Sequence, residues 1–181
     1  MRKTILSILI ILVTVILTIL LVNYMGLLGF AFAWTLNFLL MMGVFFFTET
    51  LKSPLSSSYF ETHSWEKNGK IYTSFGVHFF RKLLVLSGWE KMNKKANPIE
   101  KNSDALQHLF YRTEQSELGH IIIFIIVSGF TFFVAFRHGI LQSMWLFGLN
   151  IILNFYPILV QRFNRPRLKR ALLISNRKAS L

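Results

Sequence analysis

Four long apolar runs restrict this chain to one broad class of fold. The first, residues 4–22, has about 19 residues without a charge, dominated by Ile, Val and Leu. Its polar residues are Thr and Ser, whose hydroxyls can bond back to the helix's own carbonyls. Further runs cover about 30–47, 119–136 and 140–160. A bilayer core needs roughly 20 apolar residues in helical form to cross it. Hydrophobic residues make up 53% of the 181 and include 19 Phe, more than one soluble domain of this length can bury. The expectation is an all-α integral membrane protein, one membrane domain over 1–181 with four transmembrane helices. Arg2-Lys3 gives the first run a signal-like start. That run is too long for a signal core and no small-x-small site follows, so it is expected to stay as a span.

Charge orders the rest. The chain carries 20 Lys or Arg against 8 Asp or Glu, a net +12. With four spans, 19 of the 20 basic residues fall on one side, Arg137 being the exception. The positive-inside rule makes that side cytoplasmic, with both termini on it, as in a multi-pass protein of a cell membrane. Such a charge points to anionic membrane lipid or a phosphorylated substrate, not to nucleic acid. Cysteine is absent, which excludes disulfides, thiol nucleophiles and Cys-based zinc sites.

Residues 49–118 form the one long polar loop and hold all eight acidic residues. Asn68-Gly69 signals a turn. Residues 74–86 carry Phe75, Phe79, Phe80, Leu83, Leu84 and Leu86 on one broad side, with Ser74, His78, Arg81 and Lys82 opposite. That pattern predicts an amphipathic helix in the membrane interface, ended by Ser87-Gly88. Residues 89–101 read as irregular and broken at Asn97-Pro98. A helix from about Asp104 should run directly into the third span.

The fourth span ends unlike a plain anchor. Asn154 and Pro157 lie inside it, and Gln161, Arg162, Asn164, Arg165 and Arg167 crowd the start of the tail at 161–181. A buried amide without a partner costs a few kcal/mol, so Asn154 should bond another helix, Asn37 being the partner at hand. Pro157 frees the carbonyl of Leu153. Pro166 disfavours helix at Arg165, predicting a broken end with the arginines fanned out to grip phosphates. A solvated, lipid-facing set of arginines is the plainer reading.

Glu117 and His120, three residues apart, share a helical face where the third span begins. A carboxylate that orients an imidazole makes a general-base unit. A macrodipole role for Glu117 is the plainer alternative. His78 could join such a cluster from the amphipathic stripe, or be a solvated face residue. No spacing here matches a metal motif.

The run Val160-Gln-Arg-Phe-Asn-Arg-Pro-Arg-Leu168, preceded by Asn154 and Pro157, resembles the C-terminal signature of the glycosyl-4,4'-diaponeurosporenoate acyltransferase family. These are small bacterial membrane proteins that esterify the sugar of a glycosylated carotenoid. Glu117-Leu-Gly-His120 is similar to that family's Glu-x-x-His, and Trp65…Asn68-Gly-Lys70-Ile-Tyr72…Gly76 to its central loop. The resemblance covers about residues 60–170. It implies acyl transfer to a hydroxyl, with His120 as base oriented by Glu117. Gln161, Asn164 or an arginine would donate to the oxyanion. Arg162, Arg165 and Arg167 would hold the phosphates of acyl-CoA, a co-substrate and not a bound cofactor. The acceptor would be a lipid-linked glycoside. A non-enzymatic scaffold that binds anionic lipid or an acidic partner is the alternative.

Overall fold

A computed structural model describes residues 2–96 and 102–179. Among them there is helix and no strand. Helix α1 is Arg2–Met25 and α2 is Gly29–Leu51. Two 3₁₀ segments, Ser58–Phe60 and Ser64–Phe75, lead into α3, Val77–Leu86, and α4, Trp89–Ala96. Helix α5 is Ser103–His138, continuous from the polar loop into the apolar run as expected. Helix α6, Ile140–Asn150, passes through a π segment, Ile151–Phe155, into α7, Tyr156–Ala179. Four of these stretches are long and apolar enough to cross a membrane, and they overlap all four apolar runs. The protein is an all-α membrane protein. The break expected at Asn97-Pro98 lies outside the described residues.

Contacts divide the chain into two compact units, Met1–Pro54 with Leu118–Pro157, and Leu55–Glu117 with Ile158–Leu181. In the first, α1 packs on α2, and α2 packs on α6. Its core holds Phe32, Leu36, Ile123, Val127, Val134 and Leu146. Helix α1 buries only Ser7, its remaining surface being the Ile/Leu/Val face that suits lipid. Thr14 and Thr18 donate to the carbonyls of Ile10 and Thr14 at 2.7 and 2.8 Å, so neither of these two hydroxyls is left bare in an apolar environment. Gly43 is required where α1 crosses α2, because a Cβ there would overlap the Thr14 side chain. Left-handed glycines, Gly26 at φ 72° and Gly139 at φ 99°, make the sharp reversals after α1 and α5.

The second unit packs Phe60, Tyr72, Val77, Phe80, Leu159 and Phe163 around buried charge. Its Asn-Gly turn appears as three consecutive left-handed residues, Lys67, Asn68 and Gly69. Gly69 sits so close to α7 that a Cβ would lie 3.0 Å from the Phe163 carbonyl oxygen. The amphipathic stretch is helical from Val77 and stops before Gly88, at φ 76°, while 64–75 is 3₁₀ instead of the start of the same helix. Phe79 and Leu86 are exposed and Val77 and Phe80 are inward.

Two local expectations fail. Residues 89–96 are helical, not irregular. Their Lys and Met residues are good helix formers, and the first proline comes after them. Pro166 lies inside α7 without ending it, and Arg162 and Arg165 do not fan out but turn inward. A mid-helix proline costs about 3 kcal/mol. The charged hydrogen bonds that the inward arginines make are each worth about 1.5–3 kcal/mol, so tertiary bonding outweighs the local preference.

Candidate active site

Glu117 on α5 is the hub of the second unit. Its side chain is fully buried and accepts on both oxygens. Oε1 takes the Tyr59 hydroxyl at 2.9 Å and Arg162 Nε at 2.7 Å; Oε2 takes Arg165 Nη2 at 2.5 Å. Arg162 also donates to Glu66 Oε1 at 2.9 Å, to the Glu61 carbonyl at 3.2 Å and to the Tyr59 carbonyl at 2.5 Å. Its guanidinium lies 4.3 Å from the centre of the Tyr59 ring. Arg165 reaches the Phe60 carbonyl at 3.2 Å. Glu66 further accepts the Tyr72 hydroxyl at 3.0 Å. Two arginines and two glutamates thus neutralise each other out of water. Burial pushes both phenols up from their ordinary value, and the neighbouring Glu66 charge adds to the shift at Tyr72. Both phenols are therefore neutral donors.

Only the α7 arginines and Glu117 of this cluster were visible as candidates in the sequence. Glu66, Tyr59 and Tyr72 were not, because Glu66 and Arg162 are 96 residues apart. Gln161 donates to the Ser116 hydroxyl at 3.1 Å, and Asn164 is half-buried on the same helix. Arg167 is exposed, with its guanidinium 3.7 Å from the centre of the Phe163 ring, and it donates to the Phe163 carbonyl. His78, also exposed, meets that ring edge-on at 5.2 Å.

The first unit holds a second polar centre, built from three asparagines in apolar helices. Asn154 Nδ2 donates to Asn37 Oδ1 at 2.7 Å and to Asn150 Oδ1 at 2.9 Å. The Asn37 pairing is the one expected from the cost of a bare amide. Asn150 precedes Asn154 by four residues, a helical spacing that marks a shared face, and it could have been found on that ground. Asn37 Nδ2 donates to the Ala33 carbonyl at 2.8 Å. Asn150 Nδ2 donates to the Phe124 carbonyl and the Ser128 hydroxyl, each at 3.1 Å.

Those backbone carbonyls set the polarity of the whole chain of bonds, because a carbonyl can only accept. Asn37 and Asn150 must point their NH₂ groups at them and so offer oxygens to Asn154. Both Asn154 N–H groups are then used, and its Oδ1 faces His120 Nδ1 at 3.4 Å. An amide oxygen has no proton to give, so Nδ1 is the protonated nitrogen of the neutral ring and Nε2 carries the basic lone pair. The Leu153 carbonyl, one residue before Asn154, is the group that Pro157 deprives of its helical donor. The π segment ends just before this proline, with Tyr156 N–H bonded five residues back to Ile151.

An all-helical membrane protein with a buried charge hub and an amide-held histidine is thereby defined. A family profile for glycosyl-4,4'-diaponeurosporenoate acyltransferase matches residues 56–173. The chain belongs to that family, and it is an acyltransferase of carotenoid-glycoside biosynthesis. No curated protein and no solved structure matches the chain. The matched stretch contains Glu117, His120, Asn154, Arg162, Arg165 and Arg167, whereas Asn37 lies before it.

Proposed function

We propose that the protein transfers a fatty acyl group from acyl-CoA to a sugar hydroxyl of a lipid-linked glycoside, with His120 as general base. The observation that carries this reading is the His120–Asn154 pair at 3.4 Å, in which the amide orientation leaves Nε2 as the proton acceptor. Nε2 takes the hydroxyl proton as the oxygen bonds to the thioester carbonyl carbon. The tetrahedral oxyanion then collapses and breaks the C–S bond. The proton on His120 passes to the departing thiolate, giving ester and free coenzyme A. A base of this kind contributes about 10²–10⁴-fold to a rate.

In this account Glu117 does not orient the imidazole. Its oxygens are taken up by Arg162, Arg165 and Tyr59, and the orienting role falls to Asn154. The Glu117 hub holds α7 and the polar loop together. The basic loop and tail face the cytoplasm of a bacterial cell membrane, the side on which acyl-CoA is available.

The test is lipid and pigment mass spectrometry of a producing host with the wild-type gene, with the gene deleted, and with His120→Ala at matched protein level. Loss of the acylated glycoside in the deletion and in His120→Ala supports the proposal. Retained acylation in His120→Ala removes the base assignment. An unchanged profile in the deletion removes the acceptor assignment.

A further inference from the structure

Away from the Glu117 hub, the second unit gathers basic groups of a different kind. Helix α3 presents His78 and Arg81, three residues apart; α7 presents Arg167 and Arg170, again three apart, so each pair shares one helical face. His78, Arg81 and Arg167 meet at Phe163, which is 1% exposed, and Arg170 lies one turn beyond Arg167. Arg167 and Arg81 place their guanidiniums 3.7 and 5.7 Å from the centre of that ring, and His78 touches its edge. Arg81 and Arg170 are both close enough to repel Arg167. Among the described residues no carboxylate pairs with Arg81, Arg167 or Arg170. Arg162 and Arg165 are the opposite case, buried and neutralised by Glu66 and Glu117.

We propose that Arg81, Arg167 and Arg170, with His78 beside them, form a binding site for a phosphate ester. Like charges drawn from two helices onto one ring repel until an anion lies between them. Residues that only snorkel to headgroups have no reason to converge across two helices on a buried aromatic. The bond from Arg167 to the Phe163 carbonyl fixes its guanidinium and leaves its other N–H groups for a ligand. Arg167 and Arg170 are exposed and Arg81 is half-buried, so an anion can reach them from solvent. Guanidinium forks match phosphate oxygens two at a time, and several together suit a polyphosphate. Such groups occur on the nucleotide end of coenzyme A and on anionic lipid headgroups. Assigning the site to the acyl donor rests on the acyl-CoA reading above; the phosphate site does not.

The experiment uses the full-length protein in phosphatidylcholine nanodiscs. Calorimetry follows binding of coenzyme A and of adenosine 3',5'-bisphosphate, and native mass spectrometry follows retention of added phosphatidylglycerol. Wild type is compared with Arg81→Gln/Arg170→Gln and with Arg81→Lys/Arg170→Lys, with helicity and elution volume as the check on folding. Loss of two charge-assisted bonds should weaken the phosphate ligand by about tenfold or more in the glutamine pair, with a smaller loss in the lysine pair. A loss confined to the two nucleotides assigns the site to the donor. A loss confined to phosphatidylglycerol assigns it to lipid phosphate and ends the donor assignment alone. Unchanged binding of both ligand classes in the glutamine pair, or no binding by wild type, overturns the proposal. Because binding is read without turnover, an inactive enzyme does not affect the result.

Discussion

Glu117 and Arg165 are both wholly buried and are joined by a 2.5 Å ion pair that ties α5 to the turn of α7 carrying Pro166. Breaking such a pair leaves one charge in a medium that cannot solvate it. Glu117→Ala should therefore cost about 3–5 kcal/mol of stability. Glu117→Gln keeps the shape but loses the charge against Arg162 and Arg165, and it should be destabilising too. Thermal unfolding in detergent measures both. A Glu117→Gln protein that unfolds like wild type but is inactive would move Glu117 from support to catalysis.

Arg162 tests the same hub from the other side. Its planar fork bonds two carboxylates and two backbone carbonyls at once. Lysine carries the charge but not the fork. Arg162→Lys is expected to lose about 2 kcal/mol or more, from bonds worth about 1.5–3 kcal/mol each. Chemical denaturation followed by tryptophan emission reads the shift.

Asn154→Asp is nearly isosteric, yet it should be severely disruptive. The aspartate has no N–H to give, while Asn37 and Asn150 both present oxygens to it. Each unpaired buried oxygen costs about 1–3 kcal/mol. Asn154→Leu removes the repulsion between oxygens, although Asn37 and Asn150 still lose their donor, and it frees the His120 ring; a misplaced base costs about 10²-fold in kcat. Nitrogen NMR of labelled histidine should show the Nδ1-protonated tautomer in wild type and a mixture in Asn154→Leu. A wild-type ring protonated on Nε2 would contradict the bond polarity deduced from the asparagines.

Gly69 at φ 85° faces the Phe163 carbonyl. Gly69→Ala adds a Cβ that both opposes the left-handed backbone, at about 1–2 kcal/mol, and crowds that oxygen. A clear drop in melting temperature is expected. An unchanged melting temperature would mean that the turn does not rest against α7.

Alkaline pH should weaken the second unit. The Tyr72 phenol is pushed above its ordinary value in the folded protein, first by burial and then by Glu66. The unfolded chain releases that proton near pH 10. The contribution is thus complete below about pH 10 and is lost as pH rises toward the folded value. Tyr72→Phe should flatten this part of the stability–pH curve, at the expense of the bond to Glu66.

What could be read from residues alone was what depends on short spacing. The apolar runs gave the four long helices, and Asn68-Gly69 marked a turn that the structure contains. Asn154 demanded a partner because an amide in hydrocarbon is costly, and Asn37 supplies it. The pairing of Arg162 with Glu66 left no local pattern, since the two are 96 residues apart. Pro166 misled for the same reason: its local preference is opposed by bonds from Arg165 to Phe60 and Glu117, at separations of 105 and 48 residues. Glu117 and His120 share a helical spacing, but spacing cannot tell which partner each side chain takes. The carboxylate went to arginines and the imidazole to an amide.

The most direct test is single-turnover acyl transfer by purified, full-length His120→Ala in nanodiscs, with acyl-CoA and a glycosylated lipid acceptor. The account predicts a rate lower than wild type by about 10²–10⁴-fold, with the melting temperature retained. A His120→Ala protein that transfers acyl groups at the wild-type rate would contradict it.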